Sequence, residues 1–180
     1  KGVCRRSKAL KNMVAILGLA GVFMCGSGAE CKVITYPAPE VILNTDPFGN
    51  DDSLFISDSQ SNNKVIIEAE GSINGNAYGG VTIDVGKVTC NEITNNGTVG
   101  GNIYGGRAST VDVENNILTM NEGSSTHLIG GYSKDGNSLA NVVKINGGIV
   151  ARNVYGGESG SGDTENNKVM MAGGSVNWLL

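Results

Sequence analysis

The chain has 180 residues, of which 28 are glycine, 3 proline and 5% aromatic, too little bulky material for a compact core and too much apolar material for disorder throughout. Its net charge of −4 conceals an asymmetry, because five basic residues (Lys1, Arg5, Arg6, Lys8, Lys11) precede Glu30, and from residue 30 onward 8 basic side chains face 17 acidic ones, a balance of −9. So acidic a surface argues against nucleic acid as a partner, since phosphate binding needs clustered Lys and Arg.

The basic start runs into an apolar stretch at residues 13–24 and then into Ser27, Gly28 and Ala29. A charged region, a short apolar region and small residues before a cut describe a secretory signal peptide over residues 1–29, helical in its apolar part and cleaved after Ala29. Twelve apolar residues are too few to span a bilayer. A retained anchor or a buried helix is the alternative. Neither Cys25 nor Cys31 follows the small-residue box of a lipid attachment site. Cleavage would remove Cys4 and Cys25 and leave Cys31 and Cys90, which either form a bridge or leave Cys90 as a small buried residue.

Residues 30–61 hold all three prolines, Pro37, Pro39 and Pro47, among short apolar runs at 41–43 and 54–56. They are placed to act as an N-terminal cap or as a degenerate first coil. From residue 62 a repeat is legible. Diglycines recur at Gly79 and Gly80, Gly105 and Gly106, Gly130 and Gly131, and Gly156 and Gly157, at intervals of 25 or 26 residues. Such a period means stacked supersecondary units that bury their apolar sides against one another.

Each pair is preceded by a related tripeptide that ends in Tyr78, Tyr104, Ile129 or Tyr155. The tenth residue after each pair is Cys90, Asn116, Asn141 or Asn167, with Asn63 as the equivalent of the first coil. The sixth is Gly86, Asp112, Asn137 or Asp163, all suited to a left-handed turn position. Beyond the asparagines, Val65 and Ile67, Leu118 and Met120, Val143 and Ile145, and Val169 and Met171 alternate with mixed residues, the pattern of a strand with one buried face. Second strands are predicted over residues 73–78, 99–104, 127–129 and 149–155. The coil containing Cys90 lacks that apolar pair, which predicts a shifted or bulged strand. No stretch after Ala29 has helical apolar spacing.

The fold expected is all-β, a right-handed parallel β-helix over residues 62–180. The next diglycine falls due just where the chain stops, so it reads as part of a longer one. In such a fold the glycine pairs form sharp corners, the asparagines form an amide ladder and the tyrosines stack. A carbohydrate-binding face of Asn, Asp and Tyr is the competing use of these columns.

The strings around Asn102, Tyr104, Gly105 and Gly106, and from Val154 through Asp163 and Asn167 to Val176, resemble the Gly- and Asn-rich repeats of bacterial autotransporter adhesin passengers. That resemblance implies export, display at the cell surface through a C-terminal translocator barrel, and a non-catalytic scaffold that binds a protein or glycan of host or neighbouring cells. A β-helix polysaccharide lyase or glycosidase is the alternative.

No catalytic, cofactor or metal residue is assigned. His127, the one histidine, lacks the neighbours a zinc site needs. The glycine and aspartate string ending at Asp163 has a faint likeness to calcium-binding β-rolls, but those repeat every nine residues.

Overall fold

The computed structural model describes residues 22–25, 29–38, 41–57 and 59–179. Among them there is no helix, and the strands stack in parallel as a β-solenoid whose equivalent positions recur after 28, 25, 25 and 26 residues. Of the predicted leader, Val22–Cys25 forms a strand antiparallel to Ala29–Tyr36, and the rest of that prediction lies outside the described residues.

Three faces make up each coil. The first stacks Ala29–Tyr36, Lys64–Ile67, Glu92–Asn95, Ile117–Met120, Val142–Ile145 and Lys168–Met171. Val65, Ile67, Ile93, Leu118, Met120, Val143 and Ile145 point from it into the core. The second carries the glycine pairs, in Ala77–Val81, Ile103–Ala108 and Leu128–Ser133, and supplies Ala77, Ile103, Leu128 and Val154 to the same core. The third is short, built from Val88–Thr89, Val113–Glu114, Ser138–Leu139 and Thr164–Glu165. Each fully buried aliphatic side chain contributes roughly 1.5–3 kcal/mol, and a column of them turns separate coils into one core.

The chain turns from the third face to the first at a residue with left-handed backbone in every coil: Asn62, Cys90, Asn115, Ala140 and Asn166, with φ of 59°, 58°, 56°, 54° and 57°. The corner does not fall at the sixth residue after the diglycine, where Gly86 alone is left-handed. Asp112 and Asn137 serve there instead as acceptors, each taking the amide proton of the next coil, Asn137 at 3.0 Å and Asp163 at 2.9 Å.

Directly after each corner an asparagine turns inward, and Asn63, Asn91, Asn116, Asn141 and Asn167 form one ladder. Each Oδ1 from Asn91 onward accepts the backbone N–H of the asparagine below it, at 3.0, 3.1, 3.0 and 2.9 Å. The amide groups donate upward as well, from Asn91 to Asn116 and from Asn116 to Asn141 at 2.9 Å. A buried polar column is stable only when its groups are paired, and from Asn91 onward each side-chain oxygen takes the backbone proton of the coil before it.

Cys90 is therefore not a ladder residue, contrary to the count from the diglycine. The loop after Gly80 is one residue longer than its equivalents, so Asn91 takes the ladder and Cys90 the corner, where it is half-exposed and disulfide-bonded. Nor is the strand beside it bulged. Glu92–Asn95 stays in register with both neighbours, the loop absorbs the extra residue, and Asn95 replaces the second apolar side chain. Its amide donates to the carbonyls of Gly97 and Glu122, at 3.0 and 3.2 Å.

The glycine pairs sit inside strands in three of the four coils, and none has left-handed backbone. Close approach requires them. A Cβ on Gly79, Gly105 or Gly130 would lie 2.4, 2.3 or 2.2 Å from a carbonyl oxygen of the next coil. On Gly80, Gly106, Gly131 or Gly157 it would run into the side chain of the ladder asparagine. The two repeat signatures are thus one steric unit.

Before residue 62 the chain already follows the solenoid. Leu54 pairs in parallel with Ala77, donating to Asn76 O at 2.8 Å and accepting from Tyr78 N at 3.0 Å. Ser53, Leu54 and Phe55 thereby stand beneath Asn76, Ala77 and Tyr78. Val41 and Leu43 pack against the core from the same end.

Candidate functional site

Outside the diglycine strands lies a second apolar cluster of Tyr78, Val81, Tyr104 and Ile129, with Phe48, Phe55, Tyr132 and Tyr155 packed against it. In the tripeptide before each diglycine, first and third residues point to the same side of the strand. The asparagine amide accordingly donates to the tyrosine hydroxyl: Asn76 to Tyr78 and Asn102 to Tyr104 at 3.1 Å, and Asn153 to Tyr155 at 2.7 Å. Tyr78 and Tyr104 stack with ring centroids 5.2 Å apart and planes 8° from parallel. In the coil between, Ile129 and His127 replace tyrosine and asparagine together, so no hydroxyl loses its donor.

His127 keeps the acceptor role of the asparagine it replaces. Asn102 donates its backbone N–H to Asn76 Oδ1 at 2.8 Å, and Asn153 donates its own to His127 Nδ1 at 3.3 Å. That bond needs an unprotonated Nδ1. Burial, reinforced by the charge of Arg152, lowers the His127 pKa and favours that form.

At the N-terminal end of this face, sequence reading missed a cluster. Asp46, 4% exposed, accepts from Phe48 N and Asn50 N on Oδ1, at 2.8 and 3.0 Å. On Oδ2 it accepts from the Tyr78 hydroxyl at 2.5 Å, Asn50 Nδ2 at 3.0 Å, Ser53 Oγ at 3.3 Å and Asn76 Nδ2 at 3.4 Å. Arg107 Nη1 donates to that same hydroxyl at 3.2 Å. The guanidinium lies 3.7 Å from the Phe48 ring centre, 5.1 Å from that of Tyr104 and 5.7 Å from that of Tyr132. An aspartate and an arginine are joined through one phenol and roofed by an aromatic ring.

The protonation states follow from these neighbours. Burial pushes the Asp46 carboxyl up, but the hydrogen bonds from Tyr78, Asn50 and Phe48 outweigh it and hold the pKa below the usual value. Burial first, and the bond to Asp46 next, raise the Tyr78 phenol well above its ordinary range. Near neutral pH the carboxylate stays charged and the phenol protonated, so neither is poised to exchange a proton.

A second charged group lies on the short face, where Lys87 Nζ meets Glu114 Oε1 at 2.7 Å and Asp112 Oδ2 at 3.3 Å on the neighbouring coil. Hydrogen bonds to Glu114 and then Asp112 raise the lysine pKa, which keeps it a cation rather than a base.

The predicted residues Tyr78, Tyr104 and Tyr155 share the aromatic face, and Asn63, Asn116, Asn141 and Asn167 the internal ladder. Asp46, Phe48, Phe55, Arg107 and Tyr132 join the aromatic face without having been foreseen. Among the described residues, no three His, Cys, Asp or Glu side chains are grouped to hold a metal ion, and no helix is long and apolar enough to cross a membrane. Comparison with protein-family models, curated proteins and solved structures finds no match.

Proposed function

We propose that this chain is a non-catalytic passenger of the autotransporter type, exported and displayed at the cell surface, where the solenoid is a stiff scaffold for adhesion to host or neighbouring cells. The observation that carries the reading is the continuous internal ladder with its glycine column, which commits each coil to stacking on the next at about 4.8 Å. Such a rod holds its outer residues at fixed spacings and keeps them away from the surface that anchors it. The half-exposed aromatic face, with Tyr132, Tyr155 and His127, offers the chemistry that a protein or glycan partner would meet. In the full protein a C-terminal translocator barrel would serve as the anchor.

The Cys90 disulfide supports the export half of the reading, since such bonds persist in oxidising compartments. It also yields a test. If the leader is removed after Ala29, Cys31 is the one cysteine left to partner Cys90, so peptide mapping of the secreted chain should find Cys31 linked to Cys90. A linkage of Cys90 to Cys4 or Cys25 in that chain would sink the proposed cleavage.

The adhesive half is tested with purified chain on cells and on glycan arrays, the same glycans being assayed for cleavage. Saturable binding without turnover is expected. Turnover of an extracellular polysaccharide would favour the lyase or glycosidase reading instead.

A further inference from the structure

The loop that carries Asp46 has a construction different from the coils beneath it. Its backbone bonds close on itself: Asn44 and Ser53 exchange both of theirs at 3.0 and 2.9 Å, Asp46 N donates to Asn50 O at 2.9 Å, and Gly49 N to Asp46 O at 2.9 Å. Backbone attachment to the solenoid is found at its base, where Gly75 N donates to Asp52 O at 3.0 Å and Leu54 enters the sheet. Gly75 permits this close seating, since a Cβ there would lie 2.1 Å from Asp51 O. The tip is held down by side chains alone among the bonds described, Asp46 onto Tyr78 and Asn76, and Phe48 onto Arg107.

We propose that residues 44–50 form a lid, hinged at the Asn44 and Ser53 pair, that opens, its turn around Asp46 loosening as the carboxylate leaves Tyr78 and Asn76, and uncovers Tyr78, Tyr104 and Arg107 as an extension of the half-exposed surface of Tyr132 and Tyr155. A segment with internal backbone bonds and a few side-chain ties can leave without unpairing any coil, which is the architecture of local rather than global opening. What it covers is a binding chemistry rather than a plain core: a guanidinium between aromatic rings, with one buried nitrogen, Nε, left without a partner. The lid's own carboxylate and ring occupy the places a ligand's acidic and flat groups would take. The proposal does not depend on the adhesin reading, because the lid and the surface under it are features of the fold.

Native-state hydrogen exchange on the full chain tests it. The amides of Phe48, Gly49 and Asn50 should exchange at least tenfold faster than the ladder amides of Asn91, Asn116 and Asn141 in the unmodified protein. Phe48→Ala, which cuts the tie to Arg107 and leaves the Asp46 acceptor of these amides in place, should widen that gap another tenfold while the ladder rates hold. In the same variant one further tyrosine should titrate in the ordinary phenol range when followed by ultraviolet absorbance. If Phe48→Ala proves too unstable to purify, Tyr78→Phe, which cuts the tie to the Asp46 carboxylate, replaces it for the exchange measurement. Tip amides that open only together with the ladder, or an unchanged number of titrating tyrosines, would overturn the lid.

Discussion

Asn116→Ala is expected to destabilise the fold by about 3 kcal/mol, among the largest effects of any single polar substitution here. Asn116 is 0% exposed and stands mid-ladder. Its Oδ1 accepts from both Asn91 N at 3.1 Å and Asn91 Nδ2 at 2.9 Å, and its own Nδ2 donates to Val88 O at 3.1 Å and Asn141 Oδ1 at 2.9 Å. Alanine leaves the Asn91 backbone N–H buried without an acceptor and takes a donor from Val88 O. Each such orphan costs about 1–3 kcal/mol because no water enters to replace the lost partner.

Asn146→Ala is the control, since Asn146 makes a comparable amide bond to Asn121 Oδ1 at 2.9 Å but is exposed. Water replaces that bond, and the change should stay within about 0.5 kcal/mol. Urea denaturation of both variants decides the matter, and equal midpoints would show that the ladder is ornament rather than support.

The ladder and the glycine column were readable in advance because a solenoid copies each local need along its axis, so one requirement appears as a period in the chain. What escaped notice was whatever the period does not carry. Counting ten residues from each diglycine put Cys90 where Asn91 belongs, because a single added loop residue shifts the count while leaving the strand register intact. The corners were misplaced for a related reason. Gly86 and its equivalents suggested left-handed backbone by residue type, yet the structure places it at Asn115, Ala140 and Asn166, and alanine gives no such signal.

The lid was invisible for the opposite reason, being used once. Asp46 meets Tyr78 across 32 residues and Arg107 meets the same hydroxyl across 29. Nothing local in the run of Asp46, Pro47, Phe48 and Gly49 distinguishes a buried aspartate from one that starts an ordinary turn. One anomaly could have been noticed: in the column of Val81, Arg107, Tyr132 and Glu158, an arginine follows the diglycine on a strand otherwise short of charge.

Gly131→Ala should be as damaging as the loss of a ladder residue, about 3 kcal/mol, although it adds only one methyl group. The reason is steric and not conformational. Gly131 lacks left-handed backbone, but its Cβ would stand 2.3 Å from Nδ2, 2.5 Å from Cγ and 2.9 Å from Oδ1 of Asn141. Both ends of the obstruction are fixed, the glycine by its strand and the asparagine by bonds to Asn116, Val113 and Asn167. Overpacking of this kind costs roughly 1–3 kcal/mol, and displacing the amide adds the orphan groups of a broken ladder.

Gly86→Ala provides the contrast, since φ is +65° and nothing lies within 4 Å of the added Cβ. Only left-handed strain applies there, about 1 kcal/mol. A double-mutant cycle separates the mechanisms further. If Gly131→Ala acts by pushing Asn141 aside, adding Asn141→Ala should cost much less in that background than alone, because the amide it removes has already been displaced. Strict additivity of the two changes in chemical denaturation would mean that glycine and asparagine are independent columns, and that the repeat owes its sequence to something other than their fit.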